Sequence, residues 1–207
     1  SAKQPAGLNQ DFEAWLILSR TPGLGPRRLQ KLLSILEAPE NILSASHQQL
    51  LNIVSIPKKT LQSLQYPDTK AIQADLKWLA EPSNRLISIL DPLYPPLLQQ
   101  IPDPPAVLYC CGNPQLLAQA QLAIVGSRNP DHYGQTSAFE FAKYLSLNGL
   151  VITSGLALGI DGAAHKGALA AAGDTIAVAA TGLDRIYPAR HRELAQNIVK
   201  NGLIISE

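Results

Sequence analysis

Three glycine-bearing turns, each directly after a short apolar run, limit what this chain can fold into more than any other feature. They are Gly126-Ser127-Arg128 after residues 122–125, Ser154-Gly155-Leu156-Ala157-Leu158-Gly159 after 150–153, and Thr181-Gly182-Leu183-Asp184 after 176–180. Helix-period stretches lie between them, near 133–147, 161–172 and 191–200, and a last apolar run falls at 203–206. Strand, helix and strand in repetition predict right-handed βαβ units and a parallel sheet. Turns that leave the strands of such a sheet collect on one rim, and ligands bind there. Gly149, Gly173 and Gly202 each stand just past a predicted helix, where a left-handed residue closes the last turn. Asp161 is the expected side-chain cap of the second helix.

The first part of the chain has a different period. Phe12, Trp15, Leu16 and Leu18, then Leu29, Leu32, Leu33 and Leu36, follow helical spacing. Thr21-Pro22-Gly23-Leu24-Gly25-Pro26 separates the two runs and resembles a helix-hairpin-helix. A weaker copy at 50–61 keeps the apolar frame without the glycines, so a compact domain of four or five helices is expected. In a DNA-binding hairpin the amides opening the second helix face a phosphate, with Arg27 and Arg28 beside it. A hairpin that merely packs two helices fits the same residues. The chain has sixteen prolines, and the cluster of them between 82 and 114 predicts a segment of irregular connections between helical part and sheet. The expected domains are therefore a helical one at 8–82 and a Rossmann-like one at 83–207.

Charge argues for a local rather than a global binding surface. The formal net charge is +1, too small for a field that gathers nucleic acid from a distance. Adjacent Cys110 and Cys111 give neither a disulfide framework nor zinc spacing, and read as apolar strand positions. No apolar run approaches 18 residues, so the sequence predicts no membrane segment and a cytoplasmic protein.

The turns suit an anion. Gly126 allows close backbone approach, Ser127 offers a hydroxyl, and Arg128 offers a planar fork for phosphate. The pattern is neither the dinucleotide fingerprint nor a P-loop. The second turn leads into a helix whose amides meet an anion at the positive end of the dipole. His165 reads as a structural or hydrogen-bonding histidine, because no nucleophile or metal-ligand partner stands near it in sequence. Asp174 reads as a turn residue, and Asp184 as a tie within its own loop, rather than as a catalytic carboxylate pair. No metal site and no cofactor are expected.

Taken in order, the motifs resemble the DprA/Smf family. The entry segment matches at Tyr94-Pro95, Asp103-Pro104-Pro105, Leu108-Tyr109 and Gly112-Asn113. The core matches at Ile124-Val125-Gly126-Ser127-Arg128, Tyr133-Gly134, the turn from Ser154 to Asp161 with Ala164-His165, Thr181-Gly182-Leu183-Asp184, Tyr187-Pro188 and Ile205-Ser206-Glu207. The resemblance implies an extended Rossmann-like domain after a helical domain similar to the sterile-alpha-motif (SAM) fold. It implies a non-enzymatic protein that binds single-stranded DNA, protects it, and helps load the RecA recombinase in natural transformation, with homodimerisation. The residues it points to are Gly126, Ser127, Arg128, Ser154, Gly155, Leu156, Ala157, Gly159, Lys166, Thr181 and Gly182.

Two departures stand out. His191 lies where the family usually has asparagine. The family also continues past the Ser-Glu pair with more strands, so a sheet cut short is expected here. Aromatic residues are 5% of the chain, and Tyr133 and Tyr187 are the rim candidates for base stacking. Backbone-dominated, salt-sensitive binding without sequence discrimination follows. A competing reading is a nucleotide-processing enzyme on a related fold, resembling the nucleoside-monophosphate phosphoribohydrolases. Those enzymes carry a Gly-Gly-x-Gly-Thr stretch that this chain lacks. A third is a protein-binding helical domain with DNA contact secondary.

Overall fold

A computed structural model describes residues 8–180, 182 and 191–207. The chain divides into two compact units. The first comprises the chain up to Glu81 with Ser88–Leu90 and Pro96–Val107, and the second comprises Pro82–Ile87, Asp91–Pro95 and Leu108–Glu207.

The first unit is helical. It contains α1 (Leu8–Arg20), α2 (Pro26–Leu36), α3 (Pro39–Ser44), α4 (His47–Ile53), α5 (Lys58–Gln65), α6 (Thr69–Leu79) and the single turn α7 (Pro96–Gln99). Pro26 opens α2, where a missing N–H is harmless. Ser46 and Gln49 close a capping box on α4, and Asp68 caps α6 through the Ala71 amide. Leu16, Leu18, Leu24, Leu32 and Ile42 are buried almost completely, each contributing about 1.5–3 kcal/mol of apolar transfer. The weaker copy at 50–61 forms α4, a connection and α5, so both hairpins of the sequence pattern are present.

The sheet has six strands in the order β1-β2-β6-β5-β4-β3. They are β1 (Asn84–Ser88), β2 (Val107–Gly112), β3 (Gln121–Ala123), β4 (Val151–Gly155), β5 (Thr175–Val178) and β6 (Leu203–Ser206). The last four are parallel, joined by α8 (His132–Leu147), α9 (Ile160–Ala170) and α10 (Arg192–Asn201). β2 runs antiparallel to β6, with Cys110 opposite Ile205. The βαβ part of the sheet is parallel as expected, and β2 adds an antiparallel strand beside it. The proline-rich segment is also more regular than expected: prolines flank its strands, where a missing amide breaks no ladder bond.

Small residues bring α8 and α9 together. Ala142, Ala164 and Ala168 pack with Ile152 of β4 in one cluster, and a Cβ on Gly167 would come within 3.0 Å of the Ala142 Cβ. A second cluster joins Leu194, Ala195 and Ile198 of α10 to Ala177, Ile204 and Leu156. Two helix-end expectations need correction. Of the three glycines past the helices, only Gly149 is left-handed, at φ 84°. Ala172 takes the positive φ after α9, while Gly173 is required by contact, since a Cβ there would lie 2.7 Å from the Ser146 Cβ. Gly202 is extended at φ −162°, and a Cβ on it would meet the Ile198 carbonyl oxygen at 3.1 Å. Cys110 is buried and Cys111 half-buried, both as free thiols. Burial pushes the Cys110 thiol up to about 12 and raises Cys111 as well.

Candidate nucleic-acid interface

The turns after β3 and β4 are fastened together. Ile124 N–H donates to Thr153 O at 3.0 Å, and Ser154 Oγ donates to Ile124 O at 2.5 Å. Beyond these ties, Ser127 O accepts from Ile160 N–H at 3.1 Å, and Ser127 Oγ accepts from Asn129 N–H at 3.1 Å. Gly159 lies under that loop at φ +82°, where a Cβ would strike the Ser127 carbonyl and sit 2.8 Å from the Arg128 carbonyl carbon. Only glycine meets both demands. Gly126 is needed for contact alone, since a Cβ would lie 2.8 Å from Ile160 Cγ1.

Several expected roles move. The N-cap of α9 is Gly159, without a side-chain cap bond, and Asp161 sits buried in the first helical turn. Its carboxylate lies over Gly155, where a Cβ would be 2.6 Å from Oδ2. Glycine's left-handed entry has displaced the side-chain cap expected at Asp161. Ser154 is 2% exposed, and its hydroxyl is spent on the Ile124 carbonyl. Leu156 is buried in the core. Any ligand contact from these two falls to the backbone. His165 is fully buried, with Nε2 2.9 Å from Gly155 O and Nδ1 2.7 Å from Thr175 Oγ1. Burial pulls its pKa down to about 4, against the raising effect of the Gly155 carbonyl and with a smaller lowering from His191. A neutral imidazole there is a structural strut, not a base.

Gly126, Ser127 and Arg128 are exposed in sequence order, and Ala157 and Gly159 are half-buried. Among the described residues no acceptor meets the N–H groups of Gly126, Ser127, Arg128, Leu156 and Ala157, nor the guanidinium of Arg128. The two turns meet at the N-terminus of α9, where Ile160 N–H is bonded to Ser127 O and the helix dipole favours an anion. Tyr133 opens α8 with 80% of its surface exposed. Lys166 is exposed on α9, about 9 Å along the axis from its first residue. Gly182 has φ 68°; Thr181, Asp184 and Tyr187 lie outside the described residues.

The helical hairpin treats its arginines differently. Arg28 donates to Gly23 O and Ser55 O, each at 2.9 Å. Arg27 forks onto Asp103 at 2.8 and 3.3 Å. Thr60 Oγ1 donates to Pro22 O at 2.9 Å. Each hairpin thus supplies a donor to the other's turn.

His191 was visible in sequence only as a departure from pattern. It stands just before α10 with Nδ1 3.0 Å from Leu156 O. Nothing in its local spacing announces that contact, which joins residues 35 apart.

Strand order and helix placement define a Rossmann-like α/β protein. The sequence profile of the DNA recombination-mediator protein A family matches residues 85–207. The chain belongs to that family. It is 36% identical over 205 residues to Protein Smf of Synechocystis, covering 96% of this chain and 51% of that protein. It therefore spans about half the length of that relative. The structure of DNA processing protein A (DprA) from Streptococcus pneumoniae is similar with a TM-score of 0.77 at 32% identity, covering 94% of this chain and 66% of the other. DNA processing protein A from Helicobacter pylori, described for its single-stranded DNA binding mode, matches at a TM-score of 0.53 and 36% identity, covering 59% and 54%. Among the described residues no helix is long and apolar enough to cross a membrane.

Proposed function

We propose that this chain binds single-stranded DNA through its phosphate backbone at the rim formed by Gly126, Ser127, Arg128 and the turn from Ser154 to Gly159. The observation that carries this reading is that the amides of the two turns and the Arg128 guanidinium meet no acceptor among the described residues. Neutral amides and one cation recognise phosphate without reading base edges. The single-strand binding of the Helicobacter pylori relative supports the choice of ligand. Lys166, Thr181 and Gly182 extend the contact along the strand, and Tyr133 offers a face for one base.

In the cell this binding protects incoming DNA in the cytoplasm and helps load RecA recombinase, without chemistry on the strand. Homodimerisation belongs to the same proposal, as does a division of labour between a helical domain at 8–82 and a Rossmann-like domain at 83–207. The test is fluorescence anisotropy with a labelled oligothymidine at several salt concentrations. Salt-sensitive binding that Arg128→Ala weakens supports the reading. Binding insensitive to both salt and that substitution would overturn it.

A further inference from the structure

Gly155 and Leu156 are consecutive in the rim turn, and a buried imidazole meets the carbonyl of each. His165 reaches Gly155 O from α9 with Nε2 at 2.9 Å. His191 reaches Leu156 O with Nδ1 at 3.0 Å. A carbonyl oxygen only accepts, so each facing nitrogen carries the hydrogen. The hydrogens that face the turn therefore sit on Nε2 of His165 and on Nδ1 of His191. The other nitrogen of His165 lies 2.7 Å from Thr175 Oγ1, whose own hydrogen goes to Ile152 O at 2.6 Å.

A trans peptide sets the C=O of one residue antiparallel to the N–H of the next. Both rings are buried, His165 fully and His191 at 7% exposure. Two carbonyls aimed at buried rings aim the following amides, those of Leu156 and Ala157, the opposite way. The Leu156 side chain is anchored beside Ala177 and Leu194, so the turn cannot rotate as a body. Gly162 completes the arrangement. A Cβ there would lie 2.7 Å from His191 Cε1, so α9 leaves a glycine-sized gap for the ring.

We propose that His165 and His191 are positioning residues for anion binding, holding the two peptide planes on either side of Leu156 so that the Leu156 and Ala157 amides face a phosphate. The proposal rests on the rim being the DNA-contacting surface and identifies what aims its neutral donors.

The experiment uses 15N-labelled full chain, titrated separately with inorganic phosphate and with oligothymidine. The wild type should show Nδ1–H on His191 and Nε2–H on His165 in long-range proton–nitrogen spectra. Its Leu156 and Ala157 amides should shift with either ligand. His191→Ala should lose the Ala157 amide response, keep that of Leu156, and bind oligothymidine ~10-fold more weakly, the scale of one hydrogen bond to a charged group. That loss should be the same factor at every salt concentration, because neutral donors release no counterions. His191→Asn presents an amide N–H to the same carbonyl and should recover most of the affinity. Should His191→Ala not fold, Gly162→Ala displaces the ring without removing it and should produce the same salt-independent loss.

Unchanged amide responses in a folded variant would overturn the proposal, and so would the reversed tautomers. A wild type whose two amides respond to phosphate while it ignores oligothymidine would overturn the single-strand reading and leave this one standing. A wild type whose amides respond to neither ligand would overturn this one.

Discussion

Two turns in this molecule share a vocabulary of glycines, a helix start and arginine, yet they use it in opposite ways. At the hairpin between α1 and α2, Arg28 is bonded to two carbonyls and Arg27 to Asp103. At the turn after β3, Arg128 and the neighbouring amides meet no acceptor among the described residues. The first turn is closed by its own chain, and the second keeps donors that no described residue takes up. A donor's meaning lies in its partner, not in its residue type.

Acidification should separate the two regions most strongly. His165 steadies the rim, whereas the hairpins are held by the Thr60 hydroxyl and the Arg28 guanidinium. The folded state keeps His165 neutral down to about pH 4, while the unfolded chain protonates near 6.5. The contribution is thus complete above 6.5 and lost as pH falls toward 4, about 3 kcal/mol in all, of which about 2 is gone by pH 5. Amide exchange across β4 and α9 should speed up accordingly. Fluorescence of Trp15 and Trp78, both in the helical unit, gives the control. Equal loss in both regions between pH 6.5 and 5 would break the comparison.

Arg128→Ala comes next. Loss of a charge-assisted phosphate contact should weaken oligothymidine binding ~10- to 100-fold and flatten the salt slope by about one. The melting temperature should stay put. A melting shift with unaltered affinity would mean that Arg128, like Arg28, is engaged by its own chain.

Arg28→Ala is the mirror image. Two carbonyls lose a charged donor at a half-buried site, so the helical unit should lose about 1–2 kcal/mol in urea denaturation. Binding at the rim should be unaffected. Weaker DNA binding in a stable Arg28→Ala chain would assign the hairpin a share of the ligand.

The smallest effect belongs to Arg27→Ala. Its pair with Asp103 is exposed, with side-chain exposures of 74% and 55%, and such pairs contribute about 0–1 kcal/mol. A stability change above 1 kcal/mol would show that the fork is more than a surface contact.

Much of this fold was legible because its signals are local. The apolar runs at 150–153 and 203–206 and the helical periods between them need only a window of a few residues, and they reappear as β4, β6 and the intervening helices. Cys110 and Cys111 were legible as strand positions of β2, but its antiparallel pairing was hidden because the partner β6 lies more than ninety residues on. The site divides the same way. Arg128 in a glycine turn could be picked out from spacing. The burial of Ser154, the shift of the cap from Asp161 to Gly159, and the grip of His191 on Leu156 all depend on neighbours distant in sequence. Gly159 illustrates the limit: sequence marks it as a turn residue, but the carbonyl that forbids a side chain there belongs to another turn.

The paired cysteines of β2 have a practical consequence. Attack on a maleimide or a disulfide requires thiolate, and burial holds Cys110 protonated up to about pH 12 and Cys111 above its ordinary range. At neutral pH both should therefore label slowly. A cysteine introduced at exposed Asn129 would carry nearly all of a fluorophore, and the natural thiols would not have to be removed first. The slow thiols of β2 leave the rim open to optical tagging.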